Sequence, residues 1–178
     1  PFDISVVLDE VYSVFSATMS TKGVKFTINT EGLNYHNVLG DELSLRKILN
    51  NLLSNANKFT KAGGRVTLIA SQKMMNEKSS ILHLEVSDTG VGISEDFIGH
   101  LFEPYTQEQS ANGGRAAGSG LGMAICKSMI DLQGGTISVK SRLGVGTTFS
   151  VDIPYLIGAA AVKEKESIDC SAISGRRI

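Results

Sequence analysis

Little in this chain points toward metal clusters, nucleic acid or a membrane span. Its two cysteines, Cys126 and Cys170, are far apart and match no metal-ligand spacing, so one buried thiol and one tail thiol are expected. Neither sign of charge dominates: 17 Lys and Arg against 18 Asp and Glu leave a net charge of -1. That balance supplies no clustered positive face for nucleic acid. Long hydrophobic runs are also missing. The most apolar stretch, residues 153–162, is about half of the roughly 20 residues a spanning helix needs, and Lys163-Glu164-Lys165-Glu166 follows it. There is no signal-peptide pattern and no internal repeat. The expectation is a segment with no nucleic-acid partner and no direct membrane contact.

What remains is ordinary globular material. A length of 178 residues, 42% hydrophobic and 20% charged, fits one domain with some chain left over. Apolar residues at Ile4, Val7, Leu8, Val11, Phe15 and Met19 recur at helical spacing, with Asp3 as N-cap and Gly23 as stop. Residues 24–29 alternate as a strand, and 37–39 read as another. A second helix is expected from about 41 to 59, then strands over 65–73 and 81–87 around a polar turn. A short helix over 95–102 leads into residues 107–120, small, polar and glycine-rich, the composition of either a functional lid or a disordered segment. A helix over 121–132 and strands over 136–140 and 147–153 follow. Short turns between neighbouring strands predict an α+β fold, a two-layer α/β sandwich with a mixed sheet and helices on one face. Residues 1–157 are read as this domain and 158–178 as a linker.

Three features carry chemistry. Asn51, Asn55 and Lys58 stand at i, i+4 and i+7 of the second helix, a narrow stripe beside the apolar face of Leu45, Ile48, Leu49, Leu52 and Ala56. Amide oxygens and an ammonium there suit a hydrated divalent cation and a phosphate chain; a solvated helix face reads the same way. Asp88-Thr89-Gly90-Val91-Gly92-Ile93 follows a strand, where a carboxylate can accept from a ligand amine while bare backbone approaches a ring, or can simply lead a turn. Gly118-Ser119-Gly120-Leu121-Gly122 opens a helix, and helix N-termini bind phosphate. It lacks the βαβ setting of a dinucleotide site, and Ser119-Gly120 stands where a P-loop needs Lys and Ser/Thr. Gly144-Val145-Gly146-Thr147 is by itself a hairpin signal.

Taken in order, these clusters resemble the boxes of sensor histidine kinases. Asn51-Leu52-Leu53-Ser54-Asn55-Ala56-Asn57-Lys58-Phe59-Thr60 is similar to the N box, and Asp88 to Ile93 to the first glycine box. Leu101-Phe102-Glu103-Pro104-Tyr105 is similar to the F box, Gly118 to Ile125 to the second glycine box, and Gly144 to Phe149 to the last. The resemblance implies the Bergerat-type ATP-binding fold shared with gyrase, mismatch-repair and heat-shock-chaperone ATPases. It also implies roles. Asn51 and Asn55 would hold Mg2+, Lys58 would reach a phosphate, and Phe59 would lie against the nucleoside of ATP. Asp88 would accept from the adenine amino group, with Thr147 supporting it through water. Gly90, Gly92 and Ile93 would line the base, and Gly118, Gly120, Leu121 and Gly122 would bring amides to the phosphates. Gln107 stands where some members carry an Arg that touches the γ-phosphate, and Arg115 is an alternative source of charge.

The related ATPases carry a water-activating Glu where this chain has Asn51, so the resemblance favours phosphotransfer over hydrolysis. The acceptor would be a His followed by an acidic residue in a dimerisation domain. His36, His83 and His100 do not fit that pattern and are read as structural. The implied partners are that dimerisation and phosphoacceptor domain and a downstream receiver domain, to which Gly175-Arg176-Arg177-Ile178 is similar in its approach. The implied setting is cytoplasmic, a monomeric fragment of a homodimeric parent that is anchored elsewhere. A binding module without phosphotransfer is the competing class, disfavoured by the intact N box and glycine boxes.

Overall fold

A computed structural model describes residues 1–106 and 120–158 of the chain. A two-residue strand, β1 (Phe2–Asp3), precedes helix α1 (Ile4–Thr21), and β2 (Lys25–Gly32) and β3 (Asn37–Leu39) follow. Helix α2 (Glu42–Phe59) leads to the long hairpin β4 (Arg65–Asn76) and β5 (Ser79–Asp88). A short helix α3 (Glu95–Ile98), helix α4 (Gly122–Leu132) and the hairpin β6 (Thr136–Arg142) and β7 (Gly146–Ile157) complete the order.

The strands form one sheet in the order β1-β3-β7-β5-β4-β2, with β6 also paired to β7. Only β2 and β4 run parallel among these pairs, so the sheet is mixed, as expected from the short turns. Strict alternation gives it one buried face: Val66, Leu68 and Ala70 of β4 and Leu82, Leu84 and Val86 of β5 are all buried, with Leu68 opposite Val86 and Ala70 opposite Leu84. Phe149, Val151, Ile153 and Tyr155 of β7 continue that layer. The intervening residues carry hydroxyls that pair across strands, Thr27 with Thr67 at 3.3 Å and Ser87 with Thr148 at 2.8 Å.

The helices cover the apolar face. α1 starts where Asp3 accepts the Ser5 N–H at 2.8 Å, and it ends at Gly23, whose φ of +76° an L side chain would resist. Its buried row is Ile4, Val7, Leu8, Val11, Phe15 and Met19, the six positions that set the helical period. α2 is capped by Asp41, whose carboxylate takes the Ser44 N–H at 3.0 Å. It buries Leu45, Ile48, Leu49, Leu52, Leu53 and Ala56. At its other end Lys22 places its ammonium on the carbonyls of Asn57 and Lys58, where a helix terminus attracts positive charge.

Three differences from the sequence expectation have physical reasons. β1 is only two residues long and is made by pairing with β3, a non-local bond that periodicity does not carry. α3 stops at Ile98 and the chain turns through Leu101 to Tyr105, because Gly99 and Pro104 break a continuing helix. The hairpin strands run further than expected because their polar ends still pair, as in Met74 with Ser80 and Ser79 with Leu156. The expected linker beyond residue 158 lies outside the described residues.

The core assignment gives a stability test. Leu49 is fully buried at the centre of α2, so Leu49→Ala should cost about 2–5 kcal/mol in urea unfolding. Val14, 61% exposed on α1, should tolerate the same truncation within about 0.5 kcal/mol.

Candidate functional site

The site is assembled at one end of the sheet, where β5 stops and α2 stops beside it. Asp88 is the last residue of β5 and pairs with Thr147 near the start of β7. Its carboxylate accepts the Gly90 N–H at 2.8 Å and a backbone N–H of Thr147. Burial pushes this carboxyl above the ordinary carboxylate range, against the pull of those two amides. The side chain is half-buried, so one charged group is kept out of bulk water with its other acceptor positions available to a donor.

The turn after Asp88 is seated on the end of α2. Val91 N–H reaches the Phe59 carbonyl at 3.3 Å, and any Cβ on Gly90 would lie 2.6 Å from that same oxygen. Gly92 has φ +73° and passes against the Arg142 backbone, so both conditions that demand glycine are met there. The β6–β7 turn packs underneath: Gly144 N–H meets the Val91 carbonyl at 2.8 Å. Gly146, at φ +138°, lies against the Asp88 carbonyl with no room for a side chain.

Ser141 ties these pieces together. Its hydroxyl accepts the Ile93 N–H at 2.8 Å, donates to the Gly146 carbonyl at 2.9 Å and pairs with the Thr147 hydroxyl at 2.9 Å. Sequence reasoning passed over Ser141. The available signal was a polar residue closing the row Ile137, Val139, Ser141, which shares one face of β6. Thr147 is itself buried, and its hydroxyl turns to Ser141 while its backbone serves Asp88.

The stripe on α2 meets α4. Asn51 and Asn55 are half-buried, whereas Lys58 and Phe59 are exposed, with the Lys58 ammonium 4.8 Å from the Phe59 ring centre. A Cβ on Gly122 would lie 3.2 Å from Asn51 Oδ1, so a bare residue lets the first turn of α4 close on the asparagine. The Asn55 amide donates to Met123 Sδ at 3.2 Å. Cys126 is fully buried one turn further on, hydrogen-bonded by Asn51, and burial pushes its thiol up to about 11. That thiol is therefore inert packing, as expected of it, while Cys170 lies outside the described residues. α4 begins at Gly122 after Leu121, whose apolar side chain makes no cap hydrogen bond. Gly120, at φ +69°, accepts the Tyr105 N–H at 3.1 Å, and Tyr105 itself has φ +64°.

Gln107, Arg115 and Gly118 lie outside the described residues. The others fall into two groups around the end of α2, one at Asp88 and one at Asn51 and Asn55. An open cavity of about 450 Å³, lined by Lys61, Gly63, Gly64, Thr89, Gly90 and Val91 among others, touches only Gly90 of these; it flanks the site and does not contain it. Among the described residues no cluster of three or more His, Cys, Asp or Glu side chains could hold a metal. Each histidine has a side-chain partner: His36 with Ser5, His83 with Asp152 at 2.6 Å and His100 with Glu103 at 3.0 Å. No described helix is long and apolar enough to cross a membrane.

Known proteins share this fold. The family model for histidine kinase-, DNA gyrase B-, and HSP90-like ATPases matches residues 40–157. The autoinducer 2 sensor kinase/phosphatase LuxQ of Vibrio parahaemolyticus is 32% identical over 178 residues, covering 100% of this chain and 20% of that protein. The crystal structure of full-length ShkA in complex with AMPPNP superposes with a TM-score of 0.74 at 32% identity, covering 90% of this chain and 32% of that one. The nucleotide-free catalytic domain of the histidine kinase ThkA gives a TM-score of 0.70 at 25% identity, covering 86% of this chain and 95% of that one. The chain thus spans about a fifth of the length of the curated relatives it matches.

The raised Asp88 pKa has a stability consequence of definite sign. A carboxyl that titrates higher when folded destabilises the fold above its folded pKa, and the penalty disappears as pH falls toward the unfolded value. Asp88→Asn should therefore melt at least as high as the parent at pH 7, and its advantage should shrink as pH is lowered through the carboxylate range. Paired thermal melts across that range check it.

Proposed function

This chain belongs to the histidine kinase-, DNA gyrase B-, and HSP90-like ATPase family, and we propose that it is the catalytic part of a sensor histidine kinase. On this reading it binds Mg-ATP and hands the γ-phosphoryl group to a histidine on a separate dimerisation domain, in two-component signalling. The observation that carries the reading is Asp88: a desolvated carboxylate fixed by two backbone amides, at the head of a turn whose glycines let it pack on the end of α2 and on the β6–β7 turn. Adenine offers an amino donor to such an acceptor, whereas guanine offers a carbonyl lone pair in the same place and is repelled.

The donor set on α2 fits Mg2+. The cation takes hard oxygens and keeps phosphate oxygens and waters in its shell, so two carboxamides beside a triphosphate are enough where a carboxylate cage is absent. Asn55 and Asn51 would hold it, and the chemistry it supplies when bound is neutralisation of phosphate charge. Lys58 would add a cation to the phosphate chain, Phe59 an apolar wall, and the first turn of α4, from Gly120 through Leu121 and Gly122, backbone amides. Gln107 and Gly118 complete the phosphate set in this proposal.

In the transfer itself the acceptor imidazole nitrogen forms a bond to the γ-phosphorus. The bond from that phosphorus to the bridging oxygen breaks, and ADP leaves with the electron pair. This chain's residues position and neutralise; none is asked to form a covalent bond. Asn51 bears on the competing hydrolysis, because a carboxamide cannot take a proton from water as a carboxylate can. The parent is proposed to be a homodimer, anchored elsewhere and working in the cytoplasm, with a receiver domain after residue 178.

Two measurements test the reading. Asp88→Ala should weaken ATP about ten- to a hundredfold, the loss expected of one charged hydrogen bond, without weakening GTP; equal ATP affinity in the folded variant would overturn the adenine assignment. Incubated alone with labelled ATP, the chain should show slow hydrolysis and no stable label. Mixed with its dimerisation domain it should put acid-labile, base-stable label on that domain's histidine. Rapid turnover by the chain alone would place it with the ATPases, and label on His36, His83 or His100 would overturn the acceptor.

A further inference from the structure

Asn55 is useful to a cation only in one of its two amide orientations. The carboxamide oxygen is a hard ligand, whereas the nitrogen, its lone pair delocalised into the carbonyl, is not one. In water the two orientations cost nearly the same. Beside α4 they do not, because the group facing Asn55 is the Met123 thioether, 3.2 Å from Nδ2 and almost fully buried. A thioether has lone pairs and no proton, so it accepts a hydrogen bond and repels a carbonyl oxygen. The neighbouring Gly122 lets this turn of α4 approach α2 closely, its Cβ position only 3.2 Å from Asn51 Oδ1.

We propose that Met123 is a positioning residue for the metal: its sulfur holds the Asn55 nitrogen and so reserves the Asn55 oxygen for a divalent cation. This rests on the reading of Asn55 as a Mg2+ ligand. It assigns a chemical task to a residue that otherwise looks like one more apolar contact of α4. Leucine would fill nearly the same space but would accept nothing, leaving the amide to choose either orientation.

The experiment is calorimetry of ATP binding with and without Mg2+, on the full chain. In the parent, Mg2+ should strengthen binding. Asn55→Ala should remove that enhancement. Met123→Leu should leave metal-free ATP affinity and the thermal melt as in the parent but reduce the enhancement about two- to tenfold, the worth of one neutral hydrogen bond. In an Asn55→Ala background, Met123→Leu should change nothing further. Side-chain amide NMR gives a second readout: the Asn55 NH2 protons should exchange with solvent more slowly in the parent than in Met123→Leu. Full enhancement and unchanged exchange in Met123→Leu, with loss in Asn55→Ala, would leave Asn55 as the ligand and remove Met123 from the mechanism. Equal weakening with and without Mg2+ would reduce Met123 to packing. Retained enhancement in Asn55→Ala would bring down the metal reading itself.

Discussion

A half-buried carboxylate must be answered by donors or it unfolds its surroundings, and the answer given to Asp88 organises much of this molecule. One amide comes from Gly90, which bends the chain back toward α2; the other comes from Thr147, which fixes the end of β7 opposite the end of β5. Gly146 can then lie on the Asp88 carbonyl, and Ser141 can lock Ile93, Gly146 and Thr147 at once. Burying the carboxyl costs stability, a cost that on the proposed reading serves recognition of an amine.

α2 carries two tasks on adjacent faces. Six apolar side chains anchor it to the core, and because that face is packed, the asparagines beside it inherit a fixed height and azimuth. α4 then answers those amides with sulfur, a thiol against Asn51 and a thioether against Asn55. Soft, weakly polar atoms suit such a seam: they satisfy an amide hydrogen without bringing in a charge, which on the proposed reading would compete for the cation or for phosphate.

Most of this was legible in the sequence because it is local. The six-position apolar row of α1, its Asp3 cap, the alternation in β5 and the glycines after Asp88 each announce themselves within a few residues. The illegible parts depend on pairs distant in the chain. β1 is set by its pairing with β3 at Val38 and Asn37, the role of Ser141 by Ile93 and Thr147, and the orientation of Asn55 by Met123. Thr147 shows the boundary within a single residue: its place beside Asp88 follows from the box order, but which of its groups serves Asp88 is decided by the hydroxyl of Ser141.

The position of β7 has a consequence for how the chain is made. It is the last strand in sequence among the described residues, yet it sits inside the sheet, with β5 on one side and β6 and β3 on the other. A ribosome releases it after everything it must join. Until residues near Ile157 emerge, the β4–β5 hairpin offers an open edge, β3 has no inner neighbour, and the apolar row from Phe149 to Tyr155 is missing from the core. Vectorial synthesis therefore leaves the nascent domain incomplete almost until this strand, and then closes the sheet, the core and the Asp88 end in one event.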